Sequence, residues 1–434
     1  MRAWDQPTIP SLPGQAPLPT VFDTAAGGRQ TLERESRAGL YVCGITPYDA
    51  THLGHASTYV AFDVLNRAWR DAGVEVTFVQ NVTDVDDPLL ERAEATGVDW
   101  RQLAEEQTEL FRTDMVALNV IAPDHYVSVV DSVPSVAAAV QKLLHEGVAY
   151  RVPGFTDEQG VTQPDGDIYF DIEAAQKLGE GREGGWSLGQ VAHYSLEEML
   201  TIFGERGGDP ERPGKRNALD PLLWRVERAG EPAWEAGELG RGRPGWHIEC
   251  SVISSGFLGA PFSVQGGGSD LIFPHHDLGS SHSFALNGEP MARHYMHTGM
   301  VGLDGEKMSK SLGNLVLVSK LRAAGVEAAV IRLAIMDNHY RTDWFWQEDL
   351  LTKAQGRLDL YRSAAAAAEG QADEAALSLF ETVRQHLADD LNTPAALVAL
   401  DQWALSTLEN GGAGGQLVAD LLMARLGVDL VPAA

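Results

Sequence analysis

A strand, a helix and a second strand follow one another within residues 38–80, and this pattern constrains the fold more than any other feature of the chain. Residues 38–45 (AGLYVCGI) are a short apolar run of strand length, and residues 74–82 (VEVTFVQNV) are rich in β-branched side chains. The segment between them carries apolar residues at helical spacing and stops at Gly73. Strands joined in this way pair in parallel with a right-handed crossover, so we predict an α/β fold built on a parallel sheet.

Changes in composition predict how the chain is divided. Gly- and charge-rich loops interrupt the α/β pattern in the middle of the chain, and the C-terminal part consists almost entirely of helix formers. The predicted segments are an N-terminal arm (1–37), the first half of a Rossmann-like, doubly wound catalytic domain (38–135), a connective insertion (136–235), the second half of that domain (236–300), a linker region with the string KMSKS (301–349) and a C-terminal helical bundle (350–434).

The chain is strongly acidic, with a formal net charge of -28 over 434 residues. Nucleic acid binding needs Lys and Arg to neutralise phosphates, so this balance favours a small neutral or cationic substrate over a large RNA. The sequence has no run of 18 apolar residues and no basic start followed by an apolar segment, so we expect a cytoplasmic protein without a membrane span. Its two cysteines, Cys43 and Cys250, are then expected to be reduced, which makes metal binding possible.

Two histidines and two lysines are the candidate catalytic residues. His52 and His55 stand at the predicted start of the first helix, where a helix N-terminus attracts phosphate and Gly54 lets a nucleotide approach closely. Lys307 and Lys310 stand in the string EKMSKSLGN, within a Gly-rich stretch that could close on a leaving pyrophosphate. Taken singly, the string with His52 and His55 is also consistent with a helix start at the surface. The string EKMSKSLGN is also consistent with an exposed loop.

Cys43, Cys250 and His275 are candidate metal ligands, because thiolate and imidazole groups suit zinc. They lie far apart in the sequence. The residues alone therefore leave open the commoner alternative, in which the cysteines are core residues and the histidine pair at 275–276 lies at the surface.

Seven strings occur in the same order as in cysteinyl-tRNA synthetases and extend over most of the chain. They are YVCGITPYDATHLGH, QNVTDVDD, ERGGDP, WHIECS, GGGSDLIFPHH, KMSKSLGN and DDLNTP. The chain thus resembles the class I aminoacyl-tRNA synthetases. The resemblance implies their Rossmann-like, doubly wound parallel sheet, interrupted by an insertion and followed by a C-terminal helical bundle.

The resemblance also implies one zinc ion per chain, bound by Cys43, Cys250 and His275. Gly279 stands where those synthetases have a fourth, glutamate ligand. Three protein ligands leave an open position that the thiolate of a cysteine substrate can fill. Asp277 or His282 is the alternative fourth ligand.

Activation of L-cysteine by ATP and Mg²⁺ to a cysteinyl adenylate is the chemistry that the resemblance implies. His52, His55, Lys307 and Lys310 would stabilise charge on the phosphate oxygens. The residues implied to contact the adenylate are Cys43, Gly44, Ile45, Thr46, Thr58, Asn81, Val82, Thr83, Trp246, Gly268, Ser269, Asp270 and Val301. Core packing for Trp246 and a turn for Asp270 are the alternatives.

The C-terminal segment bears on the acceptor of the activated cysteine. Residues 351–434 hold five Lys and Arg against eleven Asp and Glu, and the 40 residues after Pro394 are expected to be too few for an anticodon-binding domain. In these respects the chain is closer to the mycothiol-pathway ligases, which join cysteine to glucosaminyl-inositol. We therefore expect this acceptor, no tRNA and a monomer. The alternatives are a truncated cysteinyl-tRNA synthetase and a non-catalytic zinc and nucleotide binder.

Transfer to an amine requires a base, and three aspartates that follow the second strand are candidates. They are Asp84, Asp86 and Asp87, for which capping of a helix is the alternative role. Residues 205–210 (ERGGDP) are expected to form a loop near the acceptor, although an ordinary Gly turn would have the same composition.

Overall fold

The computed structural model describes residues 1–34, 36–156, 160, 162–303, 305–307 and 315–431. Its strands are β1 (Thr20–Asp23), β2 (Gly28–Thr31), β3 (Arg37–Val42), β4 (Glu75–Val82), β5 (His125–Ser128), β6 (Ala149–Arg151), β7 (Phe155–Thr156), β8 (Thr162–Gln163), β9 (Ile168–Phe170), β10 (Leu222–Val226), β11 (Gly242–Pro244), β12 (Phe262–Gly268), β13 (Ala292–Thr298), β14 (Val301–Leu303), β15 (Glu306–Lys307) and β16 (Trp344–Trp346). Its α-helices are α1 (Leu53–Asp71), α2 (Asp87–Thr96), α3 (Trp100–Ala117), α4 (Val129–His145), α5 (Ile172–Gly179), α6 (Leu196–Glu205), α7 (Trp246–Leu258), α8 (Asp277–Asn287), α9 (Val318–Ala323), α10 (Ala328–Met336), α11 (Asp349–Ala367), α12 (Glu374–Ala388), α13 (Thr393–Asn410) and α14 (Gly415–Leu421).

A five-stranded parallel sheet, in the order β13-β12-β3-β4-β5, forms the centre of the catalytic domain. The chain runs outward from β3 to β4 and β5 on one side and from β12 to β13 on the other, so the strand order reverses between β3 and β12. In doubly wound sheets, ligands bind at the carboxyl ends of the strands beside this reversal. The predicted α/β class and doubly wound sheet are confirmed.

The helix α1 packs closely against the strands on either side of the reversal. Most of its residues are buried, and the ring of Phe62 lies so near Gly266 of β12 that a Cβ there would approach it to 2.4 Å. The chain leaves the helix through Gly73, whose φ of +79° favours glycine. This packing holds the N-terminus of α1 over the carboxyl end of β3.

The insertion folds as an antiparallel sheet in the order β11-β10-β9-β6, and its Trp186, Phe203 and Trp224 belong to a hydrophobic core that it shares with α7 and α8. This sheet continues to Pro244, beyond residue 235, because β11 pairs with β10. The domain limits taken from composition therefore remain predictions, since composition does not show where strand pairing ends.

The N-terminal arm contains more regular structure than its Pro- and Gly-rich composition suggested. Strands β1 and β2 pair as an antiparallel hairpin. Trp4 is buried, and its indole N–H donates to the Val120 carbonyl at 2.8 Å. The arm is thus fixed against the catalytic domain by side chains that are distant in sequence.

Helices α11 to α14 form the predicted C-terminal bundle, and buried ion pairs join it to the catalytic domain. Asp71 at the end of α1 accepts hydrogen bonds from Arg384, at 2.6 Å, and from Arg425. These arginines are almost completely buried, so loss of Asp71 would remove the carboxylate that both of them share. Within the described residues, no helix has both the length and the apolar character needed to cross a lipid bilayer.

Candidate active site

The turn after β3 is shaped by a close contact with β4. The Asn81 side-chain oxygen accepts hydrogen bonds from the Gly44 N–H at 2.8 Å and from the Tyr41 hydroxyl at 3.1 Å. A Cβ on Gly44 would lie 1.6 Å from the Asn81 carbonyl oxygen, so only glycine fits there. The Thr83 N–H donates to the Ile45 carbonyl at 3.0 Å. Asn81 and Thr83 therefore support the turn from behind.

His52 and His55 lie together at the N-terminus of α1, with ring centroids 3.8 Å apart. His52 is the N-cap, and its Nδ1 accepts a hydrogen bond from the Gly54 N–H at 3.1 Å. A neutral His52 ring must then carry its proton on Nε2, which leaves this atom as a donor. Such a donor at a helix N-terminus suits a phosphate oxygen.

The segment that follows the KMSKS string pairs with the residues that precede α1. The Leu53 N–H donates to the Val316 carbonyl at 2.9 Å, and the Val318 N–H donates to the Thr51 carbonyl at 3.0 Å. The backbone of Lys307 in β15 pairs with Gly302 of β14. Lys310 falls in residues 308–314, outside the described part of the chain, so its catalytic role and that of Lys307 stay predictions.

A cavity of about 870 Å³ opens at the carboxyl ends of β3 and β12. The predicted adenylate residues that line it are Cys43, Gly44, Ile45, Thr46, Thr58, Trp246, Gly268, Asp270 and Val301, together with His52 and His55. Val82 is instead fully buried in the hydrophobic core, and Ser269 begins the short 3-10 turn that carries Asp270. The contacts of these residues with an adenylate remain predictions.

The three candidate metal ligands come together beside this cavity. One donor atom from each of Cys43, Cys250 and His275 lies within 4.8 Å of the others, and all three residues are buried. The two sulfur atoms are 4.0 Å apart. Burial raises the pKa of the Cys43 thiol, whereas the hydrogen bond from Cys43 holds the pKa of Cys250 well below its usual value. Two sulfur donors and one imidazole form a set that suits zinc.

A chain of buried polar side chains supports Cys43. The His276 Nε2 lies 3.3 Å from the Cys43 sulfur and accepts a hydrogen bond from the Gln265 side-chain amide at 2.9 Å. The His276 Nδ1 lies 2.7 Å from the His297 Nε2, and the His297 Nδ1 lies 2.7 Å from the Thr24 hydroxyl. Sequence reasoning missed these residues, although the second histidine of FPHH was a signal.

Asp277 and His282, the two alternative fourth ligands, make other contacts in the structure. The Asp277 carboxylate accepts hydrogen bonds from the N–H groups of Gly189, Val191 and Ala192 at 2.9 to 3.1 Å, so it holds a loop of the insertion. His282 is buried with its ring edge-to-face against Phe170, and this burial lowers its pKa to about 3. Among the described residues, only Cys43, Cys250 and His275 form a group that could hold a metal.

Close packing accounts for glycine at position 279. The Ser251 hydroxyl of α7 donates to the Gly279 carbonyl of α8 at 2.9 Å, and a Cβ on Gly279 would lie 3.3 Å from the Ser251 oxygen. The two helices therefore approach each other closely at Gly279.

The three candidate bases differ in their surroundings. Asp84 accepts hydrogen bonds from the Ser128 hydroxyl at 2.5 Å and the Val130 N–H at 3.0 Å. Asp87 lines the cavity but forms an ion pair with Arg243. Asp86 also lines the cavity, caps α2 and has a pKa that burial raises to about 6. Asp86 thus both caps a helix and has access to the cavity.

The insertion supplies a wall of the cavity that sequence reasoning largely missed. Its residues are Phe155, Gln163, Asp167, Tyr169, Phe203, Arg212, Leu222, Arg225 and Arg228, together with residues 205–209 of the ERGGDP string. Only that string was a signal in the sequence. The loop borders the cavity, and its place near the acceptor stays a prediction.

Comparison with known proteins gives consistent matches over the whole chain. A family model described as the class I (C) tRNA synthetase catalytic domain matches residues 30–356. The L-cysteine:1D-myo-inositol 2-amino-2-deoxy-alpha-D-glucopyranoside ligase of Rothia mucilaginosa (strain DY-18) is 63% identical, with 99% of this chain and 97% of the relative covered. The ligase of the same name from Arthrobacter sp. (strain FB24) is 59% identical, with 99% and 100% covered.

Solved structures show the same fold at low sequence identity. Mycobacterium tuberculosis methionyl-tRNA synthetase in complex with methionyl-adenylate superposes with a TM-score of 0.59 at 17% identity, covering 90% of this chain and 88% of the synthetase. The LeuRS of Agrobacterium radiobacter K84, in a ternary complex, gives a TM-score of 0.59 at 14% identity, with 98% and 83% covered. These similarities establish the class I synthetase fold alone.

Proposed function

Since this chain belongs to the family of L-cysteine:1D-myo-inositol 2-amino-2-deoxy-alpha-D-glucopyranoside ligases, we propose that it activates L-cysteine with ATP and transfers it to the amine of glucosaminyl-inositol. The product is the amide Cys-GlcN-Ins, with AMP and pyrophosphate released. The chain is accordingly a ligase that forms a carbon–nitrogen bond. The observation that carries the proposal is one cavity that joins most of the predicted adenylate residues to the insertion wall, with Cys43 of the Cys43–Cys250–His275 group in its lining.

In the first step, an oxygen of the cysteine carboxylate attacks the α-phosphorus of ATP in line, and pyrophosphate leaves. His52 and His55 lie where donors can reach the phosphate oxygens, at the positive end of α1. Lys307 and Lys310 are assigned to stabilise the same negative charge on the phosphate oxygens. Mg²⁺ binds together with ATP. The backbone turn at residues 43–46 orients the cysteine, and Gly44 keeps it close to β4.

Cys43, Cys250 and His275 would hold zinc next to this turn. When bound, zinc supplies affinity for a thiolate and little for a hydroxyl, which separates cysteine from serine where an apolar pocket would separate them poorly. The chain itself fixes the three ligands in the turn after β3, in α7 and in the segment before α8. Gln265 and His276 hold the Cys43 side chain in place.

In the second step, the acceptor amine attacks the carbonyl carbon of the adenylate, and AMP leaves. The amine must first lose a proton, and Asp86 is the carboxylate we assign to receive it. Its pKa of about 6 lies nearer to neutrality than that of an ordinary aspartate, so its ionised form is a better base at neutral pH. Asp87 is instead engaged in an ion pair with Arg243.

The test of this function is a comparison of acceptors. Purified protein with cysteine and ATP is expected to convert glucosaminyl-inositol to Cys-GlcN-Ins, while cysteine tRNA remains uncharged. Efficient charging of tRNA without ligation would instead identify a cysteinyl-tRNA synthetase. Absence of cysteine-dependent ATP–pyrophosphate exchange in zinc-loaded protein would identify a non-catalytic binder.

Asp86→Asn is predicted to impair the second step selectively. We expect ligation to fall by about 100-fold or more, because an amide cannot take the proton. In the wild type, ligation should decline as the pH falls below about 6, where Asp86 becomes protonated. The variant should lose that limb of the pH profile.

Asp99→Asn is the matched control for this experiment. Asp99 also caps a helix, α3, but is exposed to solvent. Single-turnover transfer from preformed adenylate measures the step directly. Equal losses in the two variants, or an unchanged pH profile in Asp86→Asn, would assign capping alone to Asp86.

A further inference from the structure

The insertion wall shares one cavity with the adenylate residues, yet formation of the adenylate uses none of its side chains. A molecule bound to this wall therefore lies in the same space as the activated carboxyl group. The wall carries three carboxylates, Asp167, Glu205 and Asp209, and four guanidinium groups, Arg206, Arg212, Arg225 and Arg228. The wall therefore presents both hydrogen-bond acceptors and hydrogen-bond donors to a molecule in the cavity.

The Asp209 carboxylate is fixed by two buried donors. The Tyr169 hydroxyl donates to one of its oxygens, and the Lys215 ammonium donates to the other at 3.0 Å. Lys215 also donates to the Ala218 carbonyl at 2.7 Å, which anchors the lysine. The side chain of Lys215 is 2% exposed, whereas that of Asp209 is 41% exposed and borders the cavity. Because a carboxylate offers about four acceptor positions, Asp209 retains positions for a ligand.

A second polar group on the same wall contains donors. Asp167 lies between Arg228 at 2.7 Å and Arg212 at 3.6 Å, and the Arg228 Nε donates to the Gln163 side-chain oxygen at 2.9 Å. These charged side chains are at most 12% exposed, so their positions are fixed by packing. A sugar hydroxyl both donates and accepts hydrogen bonds, and it is best recognised where both kinds of group are held in place.

We propose that this wall is the binding site for the hydroxyl groups of the amino-sugar acceptor, and that Asp209 determines specificity for it by accepting hydroxyl hydrogen bonds. Tyr169 and Lys215 act as positioning residues for Asp209. The inference rests on the proposed function, because it requires a hydroxyl-rich amine as the second substrate. It extends that function by naming side chains that hold this substrate.

The test is Asp209→Asn, assayed in both half-reactions. The KM for glucosaminyl-inositol is expected to rise about tenfold or more, with a smaller change in kcat, because the charged carboxylate that accepts the hydroxyl hydrogen bonds is lost. Cysteine-dependent ATP–pyrophosphate exchange, in which the amino sugar takes no part, reports on the first step. Glu211→Gln is the matched control, since Glu211 is exposed in the same loop outside the cavity.

Tyr169→Phe provides a second, conservative variant. It removes the hydrogen bond that the Tyr169 hydroxyl donates to Asp209. Because one positioning hydrogen bond is lost, the same KM is expected to rise by about threefold. An unchanged KM in folded Asp209→Asn would overturn the inference, as would a loss of exchange in proportion to ligation. If Asp209→Asn does not fold, an unchanged KM in Tyr169→Phe would overturn it.

The wild type separates failure of this inference from failure of the proposed function. Exchange without ligation of glucosaminyl-inositol in the wild type would refute the proposed function and the binding site together. Ligation by the wild type, combined with a wild-type KM in Asp209→Asn, would refute only the binding site.

Discussion

Replacing Cys250 with serine is expected to abolish zinc binding and, with it, activation of cysteine. The two thiols and the His275 imidazole form the complete set of protein donors that the fold brings together in the described part of the chain. Loss of a residue that only supports a metal ligand can reduce metal affinity by roughly 100-fold. Loss of one of the three ligands should reduce zinc affinity by more than that. Cysteine-dependent exchange should fall by at least a similar factor, because the substrate thiol then lacks its partner.

Zinc content per chain, measured on purified protein by atomic emission, checks this prediction independently of activity. Because the described cysteines both belong to the site, the matched control uses histidine: His275→Gln should lose zinc, whereas His145→Gln, at an exposed position, should retain it. Undiminished zinc in Cys250→Ser would refute the assigned ligands.

Gly44→Ala is expected to disrupt the site through the backbone. The added methyl group would overlap the Asn81 carbonyl oxygen, at 1.6 Å, and this oxygen belongs to a strand that cannot easily move. Relief requires the turn at residues 43–46 to shift away from β4, at a cost in unfolding free energy of about 1–3 kcal/mol. A shift of the order of 1 Å at reacting groups can reduce the rate by about 100-fold, and we expect exchange to fall by that factor.

Gly356→Ala is the matched control for this substitution. Gly356 lies within α11, and a Cβ there would meet nothing within 4 Å. Alanine in a helix interior is favoured over glycine by about 1 kcal/mol, so this variant should be slightly more stable than the wild type. Chemical denaturation and the exchange assay measure both effects. Wild-type exchange in Gly44→Ala would show that the turn does not require glycine.

The elements of the catalytic domain were predictable because each depends on a local pattern. Apolar residues at helical spacing correspond to α1, and the WHIECS segment corresponds to α7. The β-branched run at residues 74–82 corresponds to β4. Helix and strand periodicities arise within a few residues, so one sequence suffices to recognise them.

The hairpin of the N-terminal arm and the end of the insertion at β11 were not predictable in this way. Strand β1 is four residues long, and β11 is three residues long, so neither has a detectable period. Both are strands only because a partner is hydrogen-bonded to them. Pairing of this kind depends on chain segments that the local pattern does not identify.

The sequence by itself thus determined the fold class, the candidate ligands and the strings that are predicted to bind a nucleotide. Only the tertiary structure decided which donors meet, because Cys43, Cys250 and His275 are brought within 4.8 Å by the packing of separate elements around the sheet. It likewise distinguished Asp86 from its neighbours and placed Asp209 on the cavity wall. The role of such a side chain depends on burial and on partners distant in sequence, and these exist only once the chain is folded.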